Sequence, residues 1–219
     1  MKDTPYREFG WNTSGPLFYH KIICPQIERL LPEDGSPILD IGCGNGYFAN
    51  YLLDKGYSVY GIDASQQGIE IANRSHPGHF FTNDVSLTEL PHELQNIPFK
   101  TVISMEVIEH LYDPREFIFF IKKILNKHNG GFAIITTPYH GYLKNIFIAL
   151  SGKTDFHFSA LWVGGHIKFW SKKTIFTLLR EAGFENMKFK GAGRFPYLWK
   201  HMIVTAETYP DTTIKTISE

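Results

Sequence analysis

The residues able to do chemistry in this chain gather around one short turn. In Ile38-Leu39-Asp40-Ile41-Gly42-Cys43-Gly44-Asn45-Gly46 an apolar run and a carboxylate stand directly before three alternating glycines. Glycine at every second position weakens helix and strand alike, so something must approach this backbone closely or force unusual φ values on it. A helix beginning after the turn would offer free N–H groups to a polar ligand. Two further acids follow, Asp63 in Tyr60-Gly61-Ile62-Asp63 and Asp84 in Phe81-Thr82-Asn83-Asp84. A carboxylate can accept two charge-assisted hydrogen bonds at once, which suits a pair of ligand hydroxyls. Glu106-Val107-Ile108-Glu109-His110 then brings two carboxylates and an imidazole together, and His166 follows Gly164-Gly165. An imidazole titrates near neutrality, so His166 is a candidate general base.

Phosphate-binding patterns fit the turn poorly. A dinucleotide site wants G-x-G-x-x-G, and Tyr47 stands where its third glycine belongs. No G-K-[ST] follows, so a triphosphate cradle is unsupported.

The elements that must carry these groups alternate along the chain. Strands are expected at 37–41, 58–63, within 78–84, at 100–105 and at 132–137. Helices are expected at 47–55, 66–74 and 113–126, the last opened by Asp113-Pro114 and carrying Phe117, Ile118, Phe120, Ile121, Ile124 and Leu125 at helical spacing. An earlier helix is expected over 21–31 and a later one over 171–182, with Ser171 as N-cap. Runs at 185–190 and 200–206 read as a terminal hairpin. The alternation predicts an α/β fold, a doubly wound and mostly parallel seven-stranded sheet with an antiparallel C-terminal strand. In such a sheet ligands bind outside the carboxyl ends of the strands, where the glycine turn sits.

The ordered set of motifs resembles the class I S-adenosylmethionine-dependent methyltransferases. "LDIGCGNG" is similar to their first motif, E/D-x-G-x-G-x-G, and "YGIDAS", "FTNDVS" and "ISMEVIEHL" look like the motifs after their second, third and fourth strands. The resemblance covers residues 35–140 by motif and the rest by layout, and it implies the Rossmann-like fold of that family. It implies cofactor contacts from Asp40, Gly42, Cys43, Gly44, Gly46, Asp63, Ala64, Asp84, Val85, Met105 and Glu106. Asp63 would bind both ribose hydroxyls, Asp84 the adenine amino group with Val85 against the ring, and Asp40 the ammonium of the methionine moiety. Met105 would flank the cofactor, and Tyr19 or His20 could touch its methionine end. For Asp40, Asp63 and Asp84 a purely local capping role stays open.

Within the family the chain looks most like the ubiquinone-biosynthesis O-methyltransferases, in which an E-x-x-E-H segment has been linked to a divalent cation. If 106–110 turn as a helix, Glu106, Glu109 and His110 share a face and could ligate a metal that acidifies a phenol. Similar segments occur without a metal role, so S-adenosylmethionine is the expected cofactor and the cation a lesser option. His166 resembles the histidine of an H-x-x-F/W-S/T segment in related methyltransferases. His166 and His110 are therefore the candidate catalytic residues.

The stretch 139–170 breaks the β/α rhythm and is rich in aromatics and histidines, as expected of a lid insertion over a planar or hydrophobic acceptor. Tyr139, His140, Tyr142 and Trp162 are its candidate substrate contacts, although packing of the lid on the sheet would use the same side chains. The expected layout is an N-terminal helical cap at 1–34, a cofactor-binding core at 35–138, the lid at 139–170, a C-terminal helix and hairpin at 171–208, and a tail at 209–219.

Composition narrows the partners. Lys+Arg and Asp+Glu both number 22 in 219 residues, so no basic excess points to nucleic acid. No apolar run approaches the roughly 20 residues that cross a bilayer, and no signal-peptide layout opens the chain, so a cytoplasmic protein is expected. Cys24 and Cys43 form neither a disulfide framework nor a metal pair. The expected reaction is transfer of a methyl group to a small molecule, on oxygen first, with nitrogen or carbon as alternatives. A nicotinamide-dependent oxidoreductase and a non-catalytic cofactor-binding domain are the competing classes. No feature of the sequence speaks to oligomeric state.

Overall fold

The computed structural model describes residues 9–84 and 89–210. Seven strands form one sheet: β1 (Ile38–Ile41), β2 (Val59–Asp63), β3 (Phe80–Thr82), β4 (Thr101–Met105), β5 (Gly131–Pro138), β6 (Glu185–Ala192) and β7 (His201–Thr208). Their spatial order is β3-β2-β1-β4-β5-β7-β6. The first five pair in parallel, while β7 runs antiparallel to β5 and to β6. The order reverses between β1 and β4, which creates a crevice at their carboxyl ends, directly after Ile41 and Met105.

Among the described residues there are seven α-helices: α1 (His20–Glu28), α2 (Tyr47–Asp54), α3 (Gln66–Ala72), α4 (Pro114–Asn126), α5 (Tyr142–Leu150), α6 (Thr154–Phe158) and α7 (Lys172–Glu181). Side chains alternate across a strand, so β1 sends Ile38 to one face and Leu39 and Ile41 to the other. Ile38 joins Ile23 and Ile27 of α1, Phe48 and Leu52 of α2, and Ile69 of α3. Leu39 and Ile41 join Phe117 and Ile121 of α4 and Ile175 and Leu178 of α7. Caps read from the sequence hold these helices: Asp113 Oδ1 accepts from the N–H groups of Arg115 and Glu116, and Ser171 with Thr174 forms a capping box.

Local boundaries depart from expectation at several places, among them the end of α3 at Ala72 rather than residue 74 and the end of β7 at Thr208 rather than residue 206. The first helix stops at Glu28 rather than continuing to residue 31, and β6 runs on to Ala192 because pairing with β7 extends it. Residues 106–110 form no full helical turn: Glu106 takes φ +54°, and a 3₁₀ turn covers only Ile108–His110. The expected lid contains two short helices, α5 and α6. Among the described residues no helix is long and apolar enough to cross a membrane.

Candidate functional site

Alternation along β1 puts Asp40 on the Ile38 face, beneath α1 and beside the glycine turn. Its side chain is 1% exposed and neither carboxylate oxygen has a hydrogen-bond partner. Burial, with the nearby charge of Asp63, pushes its carboxyl up to about 7. The turn itself is crowded. Gly42 (φ +78°) and Gly44 (φ +56°) take left-handed backbone, and a Cβ would overlap Val107 at Gly42 and the indole of Trp11 at Gly44. Asn45 Nδ2 donates to the carbonyls of Thr13 (2.8 Å) and Gly15 (2.9 Å), which straps the chain before α1 across the turn. Cys43 turns its sulfur onto Gly61 of β2, and burial raises its thiol well above the ordinary value.

Asp63 closes the far side of the turn. Its Oδ2 accepts from Gly44 N–H and its Oδ1 from Ser65 N–H, both at 2.8 Å. Ser65 in turn caps α3 by accepting from Gly68 N–H at 2.9 Å, with half-buried Ala64 between the two. Asp84 lies half-buried beyond β3, Met105 is buried in the sheet, and Val85 lies outside the described residues.

After β4 the three expected metal ligands part company. The left-handed φ of Glu106 swings its carboxylate toward β5 and β7, where Oε1 accepts from Thr136 Oγ1 (2.9 Å) and Oε2 lies 2.8 Å from His201 Nδ1. Glu109 and His110 face the lid instead, because the backbone does not form the helical turn that would align all three. Glu109, His110 and His166 each offer one ligand atom, and these atoms lie within 4.8 Å of one another. The donor types suit a divalent cation, with His166 in the place expected of Glu106. Glu109 is 1% exposed, its Oε1 lies 3.9 Å from His166 Nε2, and neither oxygen accepts a hydrogen bond among the described residues; burial together with the Glu106 charge raises its carboxyl well above the usual range. Its backbone carbonyl accepts from the N–H groups of Ile167 and Lys168, while His110 Nδ1 meets the carbonyls of Gly164 (2.9 Å) and Gly165 (3.2 Å). The fourth-strand turn and the lid's glycine pair are thereby stitched together. Burial lowers the His166 imidazole to about 4 and also lowers that of His110.

The lid candidates divide. Trp162 meets both imidazoles, with ring centroids 5.9 Å from His110 and 5.6 Å from His166, and also touches Phe9 of the strap. His140 is buried in a cluster with His157, Phe158 and Phe169. Tyr139 packs away from the imidazoles, against Phe189 and Trp199, because its position after β5 points it into the opposite core. Tyr142 stands 80% exposed on α5. Neither tyrosine is brought to the His110–His166 group.

Trp11 belongs to the N-terminal segment that the resemblance places over the cofactor, whereas Lys144 and His201 carry no sequence signal. Trp11 packs on Gly44 and Gly68. Lys144 of α5 is 6% exposed, donates to the Tyr139 carbonyl at 2.6 Å, and is held down to about 8 by burial. His201 opens β7 beside Glu106. A lone histidine at the start of a predicted strand carries no signal of its own. The antiparallel direction of that strand was readable, and it implies that the strand's first residue reaches the carboxyl edge. Tyr19, read only as a possible contact, is desolvated among Glu106, Glu109 and Asp40, which raises its phenol well above the ordinary value.

A family model described as a methyltransferase domain matches residues 17–188. The chain is 33% identical over 112 residues to a ubiquinone biosynthesis O-methyltransferase of Caulobacter vibrioides, covering 48% of this chain and 42% of that protein. It is 28% identical over 182 residues to the protein of that name from Cereibacter sphaeroides, covering 81% and 71%. In the first of these matches the chain spans less than half the length of its relative. Among solved structures, a SAM-dependent methyltransferase of Thermotoga maritima, described as a possible histamine N-methyltransferase, superposes with TM-score 0.63 at 19% identity over 84% of this chain and 86% of that one. Phosphoethanolamine N-methyltransferase 2 of Haemonchus contortus, in complex with S-adenosyl-L-methionine, gives TM-score 0.60 at 18% identity over 84% and 51%. At such identities the two structures speak to the fold.

Proposed function

The chain belongs to the S-adenosylmethionine-dependent methyltransferases, and from that premise we propose that it methylates an oxygen nucleophile on a small-molecule acceptor. The residues present fit the cofactor. Asp40 offers two buried, unpartnered oxygens beside a glycine turn, the environment an ammonium would complete. In this reading Asp40 holds the amino group, Asp63 the ribose hydroxyls, Asp84 the adenine amino group, and Met105 flanks the reacting end. When bound, the cofactor supplies a methyl group already activated on a sulfonium. The chain's remaining work is to align the acceptor, exclude water and take up a proton.

The observation that carries the oxygen assignment is the stock of proton-accepting side chains at the carboxyl edge. Glu106 pairs with His201 across the ends of β4 and β7, and Glu109, His110 and His166 cluster just after β4 against residues 164–166. A hydroxyl acceptor must lose a proton during transfer, whereas an amine needs only its neutral form. The O-methyltransferase names of the Caulobacter vibrioides and Cereibacter sphaeroides relatives support the same choice. Trp162 would cover the acceptor, with His166 and His110 beside it. A divalent cation at Glu109, His110 and His166 is a secondary reading, carried by the spacing of those three side chains.

Methyl-labelled cofactor offered with paired phenol and aniline acceptors tests the assignment. Label is expected on the phenols, and transfer to anilines alone would overturn the oxygen reading. Loss of phenol methylation in EDTA, restored by added cation, is expected only if the cation reading holds.

A further inference from the structure

His201 is 4% exposed, and the local geometry leaves its two nitrogens unequal. Nδ1 lies 2.8 Å from Glu106 Oε2, while Nε2 is buried without a hydrogen-bond partner. Glu106 is itself held in place. Its Oε1 accepts from Thr136 Oγ1 at 2.9 Å, its N–H donates to the Thr136 carbonyl at 3.1 Å, and its backbone takes the left-handed φ of +54°. A non-glycine residue persists in that region only where its surroundings over-determine it, and here those surroundings aim the carboxylate at one imidazole. The chain Thr136–Glu106–His201 thus links β5, the residue after β4, and β7 at their carboxyl edge, where antiparallel β7 sets His201 opposite Pro138.

We propose that His201, oriented by Glu106, accepts the proton of the acceptor hydroxyl during methyl transfer, with Glu106 as its positioning residue. This rests on the oxygen reading above. The carboxylate favours a proton on Nδ1, which leaves the Nε2 lone pair free and turned away from Glu106. As the acceptor oxygen bonds the methyl carbon, its proton passes to Nε2 and the electron pair of the breaking carbon–sulfur bond stays on sulfur. The products are the methylated acceptor, the thioether form of the cofactor, and an imidazolium facing Glu106. His166 and His110 fit this task less well, since burial lowers the proton affinity of both and His110 spends Nδ1 on the lid carbonyls. The ionisable groups around His201 are Glu106 after β4, Tyr19 before α1, Lys144 on α5, and His166 on the lid. Of these, Glu106 contacts the imidazole directly.

Two readouts separate this inference from the oxygen reading. Imidazole ¹⁵N NMR of the wild-type protein is expected to find the neutral form of His201 with its proton on Nδ1. A neutral form with its proton on Nε2 would overturn the proposal whatever the activity. With catechol as acceptor, His201→Gln should lower turnover by about 10²–10⁴-fold while S-adenosylhomocysteine affinity stays within about threefold. Retention of catechol turnover within about threefold would overturn it as well. Should His201→Gln fail to fold, Glu106→Gln is the second variant. Its amide would donate to Nδ1, move the imidazole proton to Nε2 and abolish catechol turnover at saturating cofactor, and an unmoved proton with unchanged turnover sinks the proposal. If the wild type methylates aniline and not catechol, the oxygen reading fails, and the nitrogen spectrum still decides the state of His201.

Discussion

Asp40 compresses the energetics of the site into one side chain. Its carboxyl is raised because ionising it inside the protein costs more than ionising it in water. The native state therefore holds this proton more tightly than the unfolded chain does. The associated stability is fully present below the ordinary value of 3.8 and is lost as pH rises through about 7. A bound ammonium would reverse that penalty, so the site trades ligand-free stability for binding. Asp40→Asn should accordingly raise Tm at pH 8, with the gain shrinking towards pH 4, and weaken S-adenosylhomocysteine binding by roughly 1–3 kcal/mol. An equal change in Tm at both pH values would show that Asp40 is not the titrating group. Asp63→Ala should also weaken that binding by roughly 1–3 kcal/mol in calorimetry, since ligand hydroxyls would lose their acceptor. Because Asp63 also caps Gly44 N–H, this variant should lose some stability as well, whereas Asp40→Asn at pH 8 should gain it.

At the scale of elements, the strap before α1 and the glycine turn act on one another. Trp11 lies against Gly44 and Gly68, Asn45 ties the strap carbonyls, and Phe9 carries the contact on to Trp162 of the lid. The bare backbone thus admits a side chain of the protein itself on one side, leaving the other for a ligand. Gly44→Ala must adopt left-handed backbone and displace the indole, so it should destabilise by about 1–3 kcal/mol in urea unfolding. In a Trp11→Ala background the steric part vanishes, and the same substitution should cost less. Strictly additive effects would mean the two positions do not touch.

Across the whole molecule, burial acts on the histidines in one direction. Desolvation lowers His20 to about 4, His140 to about 3 and His166 to about 4. For depressed imidazoles the stability contribution is present above 6.5 and is lost as pH falls through about 4. Asp40 acts oppositely as pH rises. Because Asp40 opposes the histidines over this range, their contribution is read by difference: between pH 6.5 and pH 4 the urea midpoint of His140→Gln should fall less than that of the wild type. Equal changes in the two proteins would contradict the buried, neutral state of that ring.

Much of the architecture could be read because its signals are local. Apolar runs ending at Gly or Pro mark the strands, Asp113-Pro114 and Ser171 mark helix starts, and the alternation of elements implies the doubly wound sheet. The glycine turn, Asp40 and Asp63 were legible for the same reason, since they sit at fixed offsets from strand ends. Tertiary structure alone decided the rest. Whether Glu106 faces the lid or the sheet turned on one left-handed φ, and a residue's own type does not disclose that choice. His201 meets Glu106 across 95 positions of sequence only because β7 runs antiparallel beside β5. Tyr139 and Trp162 carry similar aromatic character, yet one packs into the core and the other onto the imidazoles. The sequence by itself determined which groups could do chemistry. Pairing register and strand direction determined which of them meet, because contacts between distant segments depend on the packing of the whole chain.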